Sequence, residues 1–216
     1  QASLKKKKKN QNNNFFQFHF YLTKMKTPFN IIILGTTGCG KTFCPFELLE
    51  KEYKNHFDYI YLVCPTFSFN KTYQNWSYVN DPDFVIIDCG HDQVEYFLRP
   101  ISFVAPGTNS LIILDDVASG QAVKNRTNEL VRLGFSARHY GLAVIFITQQ
   151  LKSVSKPFRD YISKRVSFYN PSGKDMTVLF VDYLGNVDKN ERKDIVNTLK
   201  SHDYARLKIL LRHPYT

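Results

Sequence analysis

Eight consecutive residues, Gly35-Thr36-Thr37-Gly38-Cys39-Gly40-Lys41-Thr42, carry the densest chemistry in the chain. They fit the spacing G-x-x-x-x-G-K-[ST], in which a glycine-rich loop, the P-loop, closes around a string of phosphates. The glycines let the backbone curl so that several N–H groups face one anion. A helix starting at the end of the loop adds the positive end of its dipole. Lys41 is placed to reach the β- and γ-phosphates of ATP, and the Thr42 hydroxyl to ligate Mg²⁺. A glycine-rich turn with a chance lysine is the alternative. The apolar run Ile31-Ile32-Ile33-Leu34 directly in front, read as a buried strand, argues against it.

Hydrolysis needs two more groups, a metal ligand and an acceptor that aligns water. Leu111-Ile112-Ile113-Leu114-Asp115-Asp116 is an apolar run ending in two acids, the Walker B pattern. It assigns Asp115 to the magnesium shell opposite Thr42 and Asp116 to the attacking water. Phe84-Val85-Ile86-Ile87-Asp88 competes, but offers one carboxylate and reads as a strand-end turn. Leu142–Ile147 is a further apolar strand, followed by Thr148, Gln149 and Gln150. Gln149 is the preferred group to sense the γ-phosphate, ahead of Thr148 and Gln150. Arg138, in Ser136-Ala137-Arg138-His139-Tyr140-Gly141, has the type and place of an arginine that stabilises transition-state charge. Arg132 is the reserve. Taken alone, either arginine reads as a solvated surface charge.

The elements that must hold these groups alternate. Strands are expected over Asp58–Val63, Phe84–Ile87, Ser110–Leu114, Leu142–Ile147, Arg165–Tyr169 and Leu207–Leu211. Helices are expected over Phe46–Tyr53, Gln121–Leu133 with Gly134 as terminator, Ser155–Ile162 and Asn190–Lys200. Pro45 conflicts with the start of the first helix. Alternation of this kind means an α/β fold with a mostly parallel sheet, whose ligands bind at the carboxyl ends of the strands.

The length of 216 residues suits one domain, and 43% hydrophobic with 22% charged residues is a globular composition. No apolar run approaches the ~20 residues of a membrane helix, so no membrane partner is expected. Cys39, Cys44, Cys64 and Cys89 form no C-x-x-C pair, which argues against a zinc site and for free thiols in a reducing compartment. The formal net charge is +10, but six of those charges are Lys5–Lys9 and Lys24, in a stretch that has no acid. The remainder is mildly basic, which permits contact with DNA without arguing for it. Residues 1–24 are expected to be a basic, polar, disordered arm or an upstream leader; a secretory signal fits less well because Gln17 and His19 interrupt its apolar stretch. Residues 25–216 are expected to form a single domain.

Together these pieces resemble the FtsK–HerA superfamily of DNA-pumping ATPases, closest to the poxvirus-type genome-packaging ATPases of large DNA viruses, virophages and related elements. The resemblance rests on the P-loop, the Asp115-Asp116 strand and above all Ala137-Arg138-His139-Tyr140-Gly141-Leu142-Ala143-Val144-Ile145-Phe146-Ile147-Thr148-Gln149. Phe57–Thr66, followed by Asn70 and Tyr73, is similar to that family's second strand and loop. The implied fold is a P-loop NTPase, a RecA/ASCE-like three-layer sandwich. The implied activity is Mg²⁺-dependent ATP hydrolysis that drives double-stranded DNA into a capsid. Arg138 would reach a neighbour's ATP and Gln149 would couple hydrolysis to motion. The implied partners are DNA, a capsid or portal-vertex protein, and further copies of the chain in a closed ring of roughly five or six. The implied setting is the host cytoplasm, a virus factory or the virion, not secretion. Lys124 and Arg126, or Lys152 and Lys156, are candidates for phosphate contacts in the pore. Alternatives are another P-loop translocase or helicase, an AAA-type loader, or a slow ATP-dependent assembly switch.

Overall fold

The computed structural model describes residues 27–104, 107–117 and 129–211. The arm expected over residues 1–24, Lys124, Arg126 and the first part of the helix expected over Gln121–Leu133 lie outside the described residues.

The most apolar runs form the centre of a sheet. β1 (Asn30–Leu34), β4 (Ser110–Asp115) and β5 (Leu142–Thr148) are buried at every position. Strands covered on both faces read as continuous apolar runs. β2 (Tyr59–Val63), β3 (Phe84–Ile87), β6 (Lys164–Phe168) and β7 (Arg206–Leu210) complete it in the order β3-β2-β4-β5-β1-β6-β7. The first six run parallel and β7 runs antiparallel to β6. All six parallel strands therefore end at one edge of the sheet.

Alternation along β1 sends Ile31 and Ile33 to one face and Ile32 and Leu34 to the other. The first face packs on Cys44, Leu48 and Leu49 of α1 (Phe43–Lys51) and on Tyr73 of the one-turn α2 (Lys71–Gln74). The second packs on α3 (Val94–Val104), α4 (Glu129–Ser136) and α5 (Lys156–Asp160) through Leu98, Leu130, Leu133 and Phe158. A smaller cluster joins Leu179 and Phe180 of α6 (Gly173–Tyr183) to Ile209. α7 (Lys189–Ser201) begins with a capping box in which Asp188 and Glu191 exchange bonds with each other's backbone N–H. The result is helix, sheet, helix: the mostly parallel α/β sheet expected from the alternation, in the three-layer form that the resemblance implies.

Four local features differ from expectation. α1 starts three residues early, which puts Pro45 in its first turn, where its missing N–H would have no helical partner anyway. α3 and α6 are helices that the sequence pattern did not announce. α3 contains Pro100, and α6 is fastened from outside its own segment, by the buried Arg165 guanidinium stacked 3.5 Å from the centre of the Tyr183 ring. Gly134 does not end its helix; α4 continues to Ser136. A Cβ on Gly134 would lie 2.6 Å from the Phe158 ring, so the glycine lets α5 approach α4.

Gly134→Val should force that contact apart. Overpacking of this kind costs about 1–3 kcal/mol, which is a fall in Tm of roughly 2–10 °C for a domain of this size. Thermal unfolding at wild-type Tm would show that the two helices have room to spare.

Candidate functional site

The P-loop leaves the carboxyl end of β1 and is tied at once to β5, since the Gly35 N–H donates to the Thr148 carbonyl at 3.1 Å. Gly38 and Gly40 have φ of +80° and +87°, backbone that glycine adopts without strain. Gly35 is needed for space instead: a Cβ there would lie 2.3 Å from the Cys39 sulfur. Lys41 is buried, and its ammonium donates to the Thr36 carbonyl at 3.4 Å, curled over its own loop. α1 starts one residue after Thr42, so the positive end of its dipole faces the loop, while its first N–H groups, those of Phe43 and Cys44, already donate to the Gly40 and Lys41 carbonyls at 3.1 and 3.2 Å.

Asp115 ends β4 and is 3% exposed. One of its oxygens, Oδ2, accepts from the Thr42 hydroxyl at 3.2 Å and from the Tyr73 hydroxyl at 2.7 Å. Burial pushes this carboxyl up from its ordinary 3.8 to about 6, opposed by the Tyr73 hydrogen bond, reinforced by the charge of Asp116 and opposed again by Lys41 and Thr42. The Tyr73 phenol is itself driven well above its ordinary range, by burial first and by Asp115 second. Asp116 turns away from the strand with φ of +57°, a left-handed conformation that aspartate tolerates better than bulkier residues. Its carboxylate accepts from the Thr66 hydroxyl at 3.1 Å, and its carbonyl meets His91 Nε2 at 3.0 Å.

Strand order decides between the two acidic strand ends. Strands lie about 4.8 Å apart, so β4, two steps from β1, brings its end within about 10 Å of the P-loop strand. β3 lies four steps away, at about 19 Å. Its Asp88 is exposed at that outer edge and accepts from the Ser68 hydroxyl.

β5 lies between β1 and β4, and Gln149 at its end stands between the loop and the acids. The Gln149 side-chain oxygen accepts from the Thr37 hydroxyl at 3.5 Å, and its carbonyl accepts from Asn170 at 3.2 Å. Thr148 is buried and spends its hydroxyl on the Gln150 backbone, donating to the carbonyl and accepting from the N–H. Of the three polar residues, Gln149 is the one whose side chain meets the P-loop.

Arg138 is not in this cluster. It is exposed in a 3-10 turn, Ala137–Tyr140, which feeds the amino end of β5. The seven residues of β5 separate it from Gln149, about 20 Å along the strand. Its guanidinium therefore lies at the opposite edge of the sheet from the phosphate loop of its own chain. Arg132 is engaged locally, 3.2 Å from Glu129 and with its guanidinium over the Phe103 ring.

Three contributors were invisible as functional groups in sequence: Tyr73 and Thr66, which hold the two acids, and Asn170, which props Gln149. The signal for the first two was their place in the stretch after β2, where hydroxyl side chains follow a strand that ends beside β4.

The raised carboxyl makes a stability prediction. Native Asp115 holds its proton more tightly than the unfolded chain does, so ionising it weakens the fold. That loss is absent below pH 3.8, grows as the pH rises towards about 6, and is complete above it. Metal-free Asp115→Asn protein should melt above wild type at neutral pH, by roughly 2–8 °C, with the gap closing at about pH 4. Melts in a chelator across that range check it; a gap that does not vary with pH contradicts it.

The arrangement has counterparts. The model of the family described as Poxvirus A32 protein matches residues 17–212. No curated protein sequence matches the chain. The genome packaging NTPase B204 from Sulfolobus turreted icosahedral virus 2, solved in complex with ATPγS, is similar in structure, with a TM-score of 0.63 at 14% identity over 87% of this chain and 94% of that one. B204 from Sulfolobus turreted icosahedral virus, described as a DNA-packaging ATPase, gives 0.59 at 17% identity over 85% of this chain and 93% of that one. The pCW3 conjugation coupling protein TcpA, also with ATPγS, gives 0.59 at 13% identity over 85% of this chain and 57% of that one. At such identities these structures share the fold, a P-loop NTPase sheet with flanking helices. The family model spans nearly the whole chain, with the phosphate loop and both acids inside it, and the chain belongs to the Poxvirus A32 protein family, the viral genome-packaging ATPases that its motifs resemble.

Proposed function

We propose that the chain is one subunit of a ring that hydrolyses ATP with Mg²⁺ and uses the cycle to drive double-stranded DNA into a viral capsid. The observation that carries the ring is the division of the site between two edges of the sheet. The P-loop, Asp115, Asp116 and Gln149 cluster at the carboxyl edge, while Arg138 stands exposed at the amino edge, about 20 Å from Gln149. An arginine so placed can serve only the ATP of another subunit. The ATPγS complexes of B204 and TcpA, on the same fold, support nucleotide in the loop.

The residues present fit magnesium. The Thr42 hydroxyl and the Asp115 carboxylate, 3.2 Å apart, are hard oxygen donors converging on one point. Among the described residues no group of three or more His, Cys, Asp or Glu forms a metal cage. Magnesium, which keeps water and phosphate ligands, needs none. When bound it neutralises charge on the β- and γ-phosphates. The loop N–H groups and Lys41 hold those phosphates. Asp116, held by Thr66, accepts a hydrogen bond from the attacking water and aims it at the γ-phosphorus. The bond to the bridging oxygen of ADP breaks as the new P–O bond forms. Arg138 of the neighbour meets the charge that develops on the transferring group. Gln149, between Thr37 and the acids, is placed to feel the γ-phosphate leave and to pass that change along β5 towards the edge that carries Arg138. Lys152 and Lys156 are exposed just beyond β5 and are the described candidates for DNA phosphates. A capsid or portal-vertex protein would anchor the ring, in the host cytoplasm, a virus factory or the virion.

ATP turnover measured with and without double-stranded DNA, alongside the mass of the assembly, tests the function: DNA should stimulate a ring-sized species. A monomer with unstimulated turnover would favour the assembly switch. Lys41→Ala should abolish ATP binding in a titration, and retained tight binding sinks the P-loop assignment. Arg138→Ala should keep ATP binding and lose hydrolysis by roughly 10³-fold or more. Mixing it with Asp116→Asn protein should restore part of the activity, because a mixed ring contains some intact interfaces; absence of rescue at every ratio overturns action in trans.

A further inference from the structure

A cleft of about 730 Å³ opens beside the phosphate loop, bordered by Gly40, Phe43, Phe46, Phe168, Tyr204 and Arg206. We propose that this cleft is the base site of the nucleotide, and that Tyr204, from near the end of the described chain, is its stacking partner together with Phe43. The inference rests on the ATP reading of the P-loop and adds what holds the other end of the ligand.

Position is the first argument. The γ-phosphate end of the site is marked by Asp115, Asp116 and Gln149, on β4 and β5 to one side of β1. The cleft lies on the other side of β1, where Phe168 ends β6 and Tyr204 precedes β7. A triphosphate laid across the loop from the acids emerges here, and a volume of this size is ordinary for a nucleotide-sized ligand.

Exposure is the second. Phe43 is 50% and Tyr204 69% exposed, although both are large aromatic residues and both face one cleft. Folding explains neither, while the flat face of a base would cover both.

Backbone strain is the third. Tyr204 has φ of +60°, a conformation in which bulky side chains are rare and which persists where the surroundings enforce it. The enforcement is visible. Arg206, two residues on, pairs with Glu47 of α1, and β7 is zipped antiparallel to β6. The turn between α7 and β7 is thereby held over the loop, and the Tyr204 ring lies so close that a Cβ on Gly40 would come within 2.9 Å of it. Gly40 is thus glycine for two reasons, its own φ of +87° and the ring above it.

Calorimetric titration of ATP and of inorganic tripolyphosphate separates this site from the phosphate site. The proteins are wild type, Tyr204→Ala, Tyr204→Phe, Phe43→Ala and Lys41→Ala, below the assembly concentration. Tyr204→Ala should bind ATP roughly 5- to 100-fold more weakly, the range for removal of one base–aromatic stack, with tripolyphosphate affinity unchanged. Tyr204→Phe should keep wild-type affinity for both, and Phe43→Ala should lose ATP affinity in the same direction as Tyr204→Ala. Unchanged ATP affinity in Tyr204→Ala overturns the proposal, as does an equal loss for ATP and tripolyphosphate, which would mean a distorted loop. Repeated above the assembly concentration, the titration should show the same loss; a defect that appears only there would make Tyr204 a subunit contact and also overturn it. If wild type binds neither ligand and Lys41→Ala behaves the same, the P-loop reading fails and the base site falls with it; if wild type binds both, Lys41→Ala binds neither and Tyr204→Ala binds ATP as wild type does, the base site fails alone.

Discussion

Parallel pairing of β5 between β1 and β4 is the constraint on which the rest of the molecule depends. It places three strand ends side by side: the P-loop, the two acids and Gln149. Because the spacing between strands is set by backbone hydrogen bonds, the separation of Thr42 and Asp115 follows from strand order. The same pairing sends the amino end of β5, and Arg138 with it, to the far edge. One strand thus has Gln149 beside the P-loop at one end and Arg138 exposed at the other. Its full burial on both faces makes it a stiff link between them.

The local energetics show what the site requires of the fold. Asp115 is a carboxylate almost wholly withdrawn from water, and its raised pKa records that ionising it there is unfavourable without a cation. Tyr73 and Thr42 satisfy one oxygen but do not reverse the shift. Beside it, burial drives the Cys64 thiol up to about 11, against the bond to Thr66, so the sulfur packs as an apolar group. The chain thus keeps an acid at a place where burial opposes its charge.

The carboxyl-terminal third has a definite physical connection to the loop that defines the chain. α6 is clamped on β6 by Arg165 and Tyr183, and β7 is clamped on α1 by Arg206 and Glu47. Both contacts draw residues without recognisable motif towards β1. They turn a two-sided sheet into a cleft with a third wall, and they explain why Gly40 sits beneath an aromatic ring from 164 residues further along.

The sequence by itself determined the elements whose chemistry or burial is local. G-x-x-x-x-G-K-T needs only its own glycines and the strand before it. The centre strands announce themselves because parallel strands covered on both faces must be apolar throughout. The Asp115-Asp116 strand end stood out once a P-loop was present to need acids, whereas Pro45 misled: the helix was expected from Phe46 and begins at Phe43. Tertiary structure decided what depends on neighbours distant in the chain. It gave a physical reason for two preferences already readable in the residues: β3, with Asp88, lies four steps from β1, and Gln149 turns to Thr37 while Thr148 turns to the Gln150 backbone. It gave Gly134 a packing role, recruited Tyr73 and Thr66 to the acids, and set Tyr204 over Gly40. The contacts of Gly134, Tyr73, Thr66 and Tyr204 could not be read from the chain, because each is a distance between segments that only strand order and crossover packing bring together.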